Sequence, residues 1–173
     1  LALVIAVILG SLWLLKRLSM PRGSQNAVLR IVGGTAVGPR ERVVLRGNVI
    51  INYSDPAQPF RGTLQGIGCF DGFYINWVIE NNVVITDHWH GISLYGAVNC
   101  RVVNNTVIDS NDATPGPPWI AIVPHKDGRP SRNCLIRNNI AASITAAAGV
   151  AADHNYIIRN YADYAGMFVD PAG

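Results

Sequence analysis

Four segments of the chain repeat one pattern of apolar and polar positions, in which an apolar, β-branched run is interrupted by a turn centred on asparagine and then resumes. The aligned asparagines are Asn48, Asn82, Asn105 and Asn139, at spacings of 34, 23 and 34 residues, and a weaker fifth copy covers residues 152–158. Repeats of this length are typical of stacked architectures, in which each unit buries its apolar face only against its neighbours. We therefore expect the repeat to determine the fold.

The spacing predicts an all-β solenoid, the parallel β-helix, in which short strands are joined by tight corners. The shortest spacing fits one bare coil, and the longer ones fit coils with inserted loops at residues 55–63 and 111–118, where prolines cannot donate to a strand ladder. We assign Asn82, Asn105 and Asn139 to structure. Asparagine tolerates left-handed backbone at corners, and its amide can bond the asparagine one coil away, about 4.8 Å distant.

Three segments, 66–70, 91–95 and 119–123, align as the same strand of successive coils. Because side chains alternate across a strand, one face of these segments is predicted to point into the core. The predicted inward residues are Ile67, Cys69, Ile92, Leu94, Ile120 and Ile122, and the outward ones are Gly68, Phe70, Ser93, Tyr95, Ala121 and Val123. Small residues flanked by aromatic ones predict a shallow outward groove that suits a sugar chain, whose apolar ring faces pack on aromatic rings.

Polar residues gather at both ends of this predicted strand. Gln65 and the run Asp-His-Trp-His at 87–90 lie where the chain enters it, and the charged run at 125–129 follows where the chain leaves it. Histidine titrates near neutrality, so His90 and His125 are candidate acid/base groups. The other catalytic candidates are Asp71, Lys126 and Arg129, and the substrate-binding candidates are Gln65, Phe70, His88, Trp89, Ser93, Tyr95 and Asp127.

These polar runs also have simpler explanations. A histidine at a coil corner can merely donate to a carboxylate or a backbone carbonyl, and residues 125–129 can form a solvated turn with Asp127 and Gly128 at its tip. His88 and His90 resemble half of a metal site, but the sequence offers no convincing third and fourth ligand. We therefore predict no metal and no cofactor, with Ca²⁺ left open but not indicated.

Composition and charge agree with a single domain of many short, buried strands. Hydrophobic residues make up 49% of the 173 residues and charged residues only 14%, with 17 glycines and 10 prolines. The formal net charge of +3 is too small and too dispersed to indicate a nucleic-acid partner. Three cysteines without a Cys-x-x-Cys motif indicate neither a disulfide scaffold nor a zinc site. Cys100 and Cys134 are predicted to stack as a buried ladder, and Cys69 falls on another strand.

The N-terminal region is predicted to be separate from the solenoid. Residues 1–15 are apolar apart from Ser11, and two basic residues follow. We interpret residues 1–19 as a signal peptide or membrane anchor, or alternatively as a hydrophobic helix that caps the first coil. Residues 20–40 would be a linker or partial coil, and residues 41–173 the β-helix, which looks truncated at its C-terminus. This interpretation predicts a secreted, periplasmic or cell-surface protein, bound to a membrane only through residues 1–19.

The segments 66–72 and 88–93, together with the asparagine turns, resemble the right-handed parallel β-helix proteins of the pectin-lyase-like superfamily. The resemblance covers about residues 40–170 and implies the fold. It leaves the activity open, because the superfamily includes polysaccharide lyases, glycoside hydrolases, uronan epimerases, phage tailspikes and proteins with no known activity. No catalytic signature of these families matches residue by residue, so no catalytic residue is carried over.

The chemistry of the candidate residues favours a lyase or epimerase over a hydrolase. A hydrolase needs two carboxylates roughly 5 to 10 Å apart, whereas a uronan lyase or epimerase needs a cation for the sugar carboxylate and a base for the adjacent proton. His90 or His125 would take the proton, Lys126 and Arg129 would hold the carboxylate, Asp71 would orient a histidine and Tyr95 would carry the sugar ring. We therefore expect an enzyme acting on an acidic polysaccharide.

The alternative is a non-catalytic carbohydrate-binding or structural module of the tailspike kind, or a fragment too short to assemble a site. Histidine rings that converge within about 10 Å around a cleft, with a basic side chain opposite, favour catalysis. Rings of His90 and His125 that point apart or are buried favour binding.

Overall fold

The structure, a computed structural model, describes residues 42–52, 65–112 and 115–167, all within the compact unit Val37–Gly173. The described part is all-β, with parallel sheets and almost no helix. The predictions for residues 1–19 and 20–40, including the N-terminal hydrophobic helix, lie outside the described residues, as do those for residues 55–63 and 168–173. In the ranges that are described, no helix is long and apolar enough to cross a membrane.

In the described residues, fourteen short strands form three parallel sheets. Sheet A contains β1 (Val44–Arg46), β4 (Val78–Glu80), β7 (Arg101–Val103), β10 (Cys134–Arg137) and β13 (Val150–Asp153). Sheet B contains β2 (Val49–Asn52), β5 (Val83–Thr86), β8 (Thr106–Asp109), β11 (Ile140–Ala141) and β14 (Tyr156–Ile157). Sheet C contains β3 (Ile67–Cys69), β6 (His90–Tyr95), β9 (Trp119–Val123) and β12 (Ser143–Ala146).

The chain visits sheets A, B and C in turn, and we call each such passage a coil. Every strand pairs in parallel with the equivalent strands of the preceding and following coils, as the sequence of strands within each sheet shows. The predicted parallel pairing is thereby confirmed, and the arrangement is compatible with a parallel β-helix. The described residues of the predicted loop at 111–118 form no strand, which agrees with the prolines there.

The core lies between the three sheets and is formed by the inward side chains of each. In sheet C, Ile67, Ile92 and Ile120 are in register, and Cys69, Leu94 and Ile122 form the second inward column, as predicted. The fully buried aliphatic side chains are Ile79, Val84, Ile92, Leu94, Val102, Val107, Ile120, Ile122 and Ile136. Most are β-branched, because such side chains pack well on a pleated, buried surface.

The recurrent asparagines form a continuous ladder between sheets A and B. The Oδ1 atom of Asn105 accepts from both the backbone N (3.1 Å) and Nδ2 (2.9 Å) of Asn82, and Asn139 accepts from Asn105 in the same way at 2.9 and 3.0 Å. The ladder continues at both ends, to Asn48 and to Asn155. The structural role predicted for these residues, and the fifth coil, are confirmed.

The left-handed backbone at these corners does not belong to the ladder asparagines, so that part of the prediction was wrong. The residue before each one has a positive φ, namely Gly47, Asn81, Asn104, Asn138 and His154. The left-handed residue reverses the chain, and the next residue can then direct its amide along the stack. At each corner, one residue therefore adopts the left-handed backbone and the next one forms the ladder hydrogen bonds, whereas the sequence pattern assigned both roles to a single asparagine.

The cysteines occupy the places predicted for them. Cys100 and Cys134 are buried one coil apart, with the Cys100 backbone N 3.4 Å from Cys134 Sγ, and Cys69 lies in β3 of sheet C. All three are free thiols.

Two short helical turns follow the last strand and were not predicted. Residues Tyr161–Asp163 form a 3₁₀ turn, and Tyr164–Met167 form one α-helical turn. Tyr164 is buried against Ile108 and Ile158, so this segment packs against sheet B.

Candidate functional site

An aromatic cluster covers the outer face of sheet C. Its members are Phe70, His88, Trp89, His90, Tyr95 and Trp119. The imidazole of His90 lies at the centre, with ring centroids 4.8 Å from Phe70, 5.1 Å from Trp119 and 5.2 Å from His88. Phe70 also contacts Tyr95 edge-on at 5.0 Å, as expected from the predicted register of these two residues.

A bulge in β6 directs His90 into this cluster. The pairing of β6 with β9 shifts between His90 and Ile92, which leaves Gly91 as the extra residue. A Cβ atom at Gly91 would lie 2.4 Å from Val107 Cγ1 and 2.9 Å from the Trp119 carbonyl oxygen, so only glycine fits. The close backbone approach at Gly91 therefore allows the irregularity that turns His90 outward.

The predicted open groove is covered where Ser93 lies, and this expectation was wrong. The Ser93 hydroxyl accepts from Trp119 Nε1 at 3.1 Å and lies 2.9 Å from His90 Nδ1, which leaves Ser93 fully buried. Ala121 is buried as well, whereas Gly68 remains exposed. The two rings bend over the small residues because Ser93 offers them the hydrogen-bonding partner that their polar nitrogens require.

The aromatic cluster has one clearly exposed member, Trp89. Its side chain is 40% exposed and lies nearly parallel to Trp119, with an interplanar angle of 18° and centroids 6.2 Å apart. His88 is buried, and its Nδ1 accepts from the His90 backbone N at 3.0 Å. Burial lowers the pKa of His90, and the neighbouring His88 lowers it further, so His90 is neutral at pH 7.

The candidates at the other end of the strands form a charged cluster, which consists of Asp71, His125, Lys126, Asp127 and Arg129. His125 is buried, and its Nδ1 lies 2.8 Å from Asp127 Oδ1. Asp127 also accepts from Arg129 Nε at 2.8 Å, and Lys126 pairs with Asp71. The carboxylate that orients His125 is therefore Asp127, not the predicted Asp71.

Ion pairing sets the electrostatics of this charged cluster. Hydrogen bonding from the Arg129 backbone lowers the pKa of Asp127 to about 2, and His125 adds to the effect. Lys126 lowers the pKa of Asp71, while Asp71 raises that of Lys126. Nε2 of His125 is buried and has no hydrogen-bond partner among the described residues. His90 and His125 thus belong to different clusters at opposite ends of the strands.

A pocket of about 220 Å³ beside the charged cluster contains residues that the sequence analysis missed. Phe73 is 77% exposed, and the Arg129 guanidinium lies 4.3 Å from its ring centroid. Arg132 also lines the pocket and pairs with no carboxylate in the described ranges. A signal was available, because Arg132 stands in the column that Ile75 and Val98 occupy in the two preceding coils.

Gln65 lies where it was predicted, at the entering end of sheet C. Gly66 donates to the His90 carbonyl at 2.9 Å, which places Gln65 beside His90, and Gln65 Oε1 lies over Gly68. Within the described part of the chain, no three His, Cys, Asp or Glu side chains are grouped to hold a metal ion. No protein-family model matches the chain, and no curated protein or solved structure matches it.

Proposed function

We propose that the chain is a right-handed parallel β-helix of the pectin-lyase-like type that binds an acidic polysaccharide across the outer face of sheet C. The observation that carries this proposal is the exposed Trp89 ring, held nearly parallel to Trp119 in the aromatic cluster. Indole rings held this way are suited to the apolar faces of sugars. Right-handedness follows the strong preference of crossover connections between parallel strands of one sheet.

The acidic character of the polysaccharide is inferred from the other end of the same strands. Arg132, which pairs with no described carboxylate, lines the pocket there together with Arg129 and the exposed Phe73 ring, and the ion-paired Lys126 belongs to the neighbouring charged cluster. The six residues of β6 extend about 20 Å, so a sugar chain lying along the strand direction would reach from Trp89 to these cations. A polymer of this kind is met outside the cytoplasm, which agrees with a secreted or cell-surface location. The proposal requires no metal and no cofactor.

Lyase or epimerase chemistry is the second candidate, and the neutral His90 ring favours it. In the tautomer that donates from Nδ1 to Ser93, Nε2 is available to accept the proton next to a sugar carboxylate. Two observations favour binding without catalysis. His125 is buried, and Lys126 and Arg129 are already paired with Asp71 and Asp127. A catalytic site would have to exchange these carboxylates for the carboxylate of the substrate.

A panel of polysaccharides tests both candidates. Calorimetric titration with polygalacturonate, alginate and neutral dextran should show binding to an acidic polymer. Trp89→Ala should weaken it roughly tenfold, the effect of losing about 1.4 kcal/mol of ring stacking. Tyr156→Ala is the matched control, because Tyr156 is 57% exposed but lies in sheet B. Binding to no acidic polymer, or equal loss in both variants, would contradict the proposal.

The same mixtures report on catalysis through the ultraviolet absorbance of an unsaturated sugar product. Absorbance that appears with the native chain and is lost in His90→Ala would establish the lyase. For an epimerase, proton exchange with deuterated water at the carbon beside the carboxylate is the corresponding signal. Retained binding with neither signal leaves a binding module.

A further inference from the structure

A second pocket, of about 190 Å³, lies between the end of β8 and the C-terminal helical turns. We propose that it binds a single unit of a neutral sugar. This inference is independent of the polysaccharide proposal, since none of the residues lining the pocket belongs to the aromatic or charged cluster. The residues that carry the argument are Asp109, Asp112, Arg159, Asn160, Tyr161 and Tyr164.

The walls of the pocket are fixed by packing. Tyr164 is buried against Ile108 and Ile158, and the Tyr161 ring lies 5.7 Å from it at an angle of 53°. The Tyr161 hydroxyl donates to the Ser110 carbonyl oxygen at 3.3 Å, which ties the helical turn to the end of β8. An aromatic wall that is already in place lowers the cost of ordering on binding, and it suits the C–H face of a sugar ring.

The polar groups of the pocket match the hydroxyls of a sugar. Asp109 is only 5% exposed, and its contact with the Asn111 backbone N is long, at 3.5 Å. Asp112 supplies acceptors nearby, while Asn160 and Arg159 supply donors. Arg159 forms no ion pair with any described carboxylate. Neighbouring donors and acceptors beside an aromatic wall are the arrangement that adjacent hydroxyl groups require.

Charge and size restrict the ligand further. The two carboxylates outnumber the single guanidinium, so the lining disfavours an acidic sugar such as a uronate. The volume is below the roughly 300 to 1,000 Å³ of pockets for drug-sized ligands, so one sugar unit is the appropriate size. The pocket and the face of sheet C would therefore bind different carbohydrates.

Saturation-transfer NMR on the whole chain tests this inference with glucose, galactose, mannose and rhamnose, and with galacturonate as the acidic comparison. At least one neutral sugar should give a signal, and galacturonate should give a weaker one. Tyr161→Ala and Asp112→Asn should each weaken the affinity for that sugar about tenfold or more. Tyr156→Ala, which removes an exposed tyrosine outside the pocket, should leave it unchanged.

Three outcomes would overturn the inference: no signal from any neutral sugar, a stronger response to galacturonate, or a signal that survives both pocket variants. Circular dichroism of each variant separates loss of the pocket from loss of the fold, and Asp112→Asn changes an exposed side chain without changing its size. Failure here would leave polysaccharide binding intact, because that binding is measured with Trp89→Ala on another face.

Discussion

At the scale of single residues, the buried carboxyl group of Asp109 has a measurable consequence for stability. Burial, together with the smaller effect of the neighbouring carboxylates of Asp87 and Asp112, raises its pKa from 3.8 to about 6. Arg159, Tyr161 and Tyr164 are the other titratable groups around the pocket. In the unfolded chain the carboxyl titrates near its ordinary value, so its contribution to stability is complete below about pH 4 and is lost as the pH rises through about 6.

We therefore predict that Asp109→Asn stabilises the chain by about 2 kcal/mol at pH 8 and has little effect near pH 4. Urea unfolding of the native chain and the variant across this pH range measures the difference. Asp112→Asn is the control, because its side chain is exposed and should change the profile much less. A stability profile that keeps its full pH dependence in Asp109→Asn would show that another group is responsible.

At the scale of structural elements, the asparagine ladder holds successive coils together. Asn105 is almost fully buried, accepts two hydrogen bonds from Asn82, and donates to the carbonyl oxygens of Ile79 (3.0 Å) and Val103 (3.1 Å). Asn105→Ala leaves these buried groups without partners, and each such group costs about 1 to 3 kcal/mol. We predict a loss of roughly 3 to 5 kcal/mol in the free energy of unfolding.

Asn48→Ala provides the comparison for this ladder variant, because Asn48 is exposed and its side chain, among the described residues, donates to Asn82 without accepting a bond. Its cost should be about 1 kcal/mol or less, the usual value of a single hydrogen bond near the surface. Chemical denaturation measures the free energy of unfolding of both variants. Equal losses of unfolding free energy in the two variants would mean that neither the burial of Asn105 nor its acceptance of two hydrogen bonds adds to the stability of the chain.

At the scale of the whole molecule, the separation of apolar rings from exposed cations predicts how salt affects binding. Trp89 lies at one end of sheet C, and Lys126, Arg129 and Arg132 lie at the other. Raising the salt concentration from about 0.1 M to about 1 M shortens the screening length from about 10 Å to about 3 Å. Binding of the acidic polysaccharide should weaken severalfold, whereas neutral-sugar binding in the second pocket should change little.

Arg132→Gln tests the origin of that salt effect, since this side chain has no described carboxylate partner that would be left unpaired. The variant should bind the acidic polymer more weakly at low salt and show a smaller dependence on salt. Titrations at the two salt concentrations measure both quantities. Unchanged salt dependence would indicate that the cations at this end do not contact the polymer.

Much of the fold was predictable because it follows from periodicity. The repeat of apolar runs specified which strands pair, and alternation specified that Ile67, Ile92 and Ile120 point inward. The spacing of the asparagines specified their stack in the same way. The two helical turns after β14 escaped prediction, because a single turn is too short to produce a helical period.

The candidate site was predictable in location but not in its contacts. The alignment of the repeats brought Gln65 and His90 to one end of sheet C, and His125 and Asp127 to the other. It could not show that the bulge at Gly91 turns His90 over Ser93, or that Asp127 takes the place assigned to Asp71. Those contacts depend on the backbone conformation of one or two residues at a corner, and the pattern of apolar and polar positions in the sequence does not show that conformation.

By itself, then, the chain's pattern determined the parallel strands, their register and the asparagine stack, because each follows from a repeated spacing. Only the tertiary structure decided that Ser93 and Ala121 of sheet C are covered, that Phe73 and Arg132 join the site, and that Asp109 and Tyr164 enclose a second pocket. The reason is that these features arise where irregular corners of different coils contact each other, and those contacts depend on side-chain packing, which the length of the repeat does not determine.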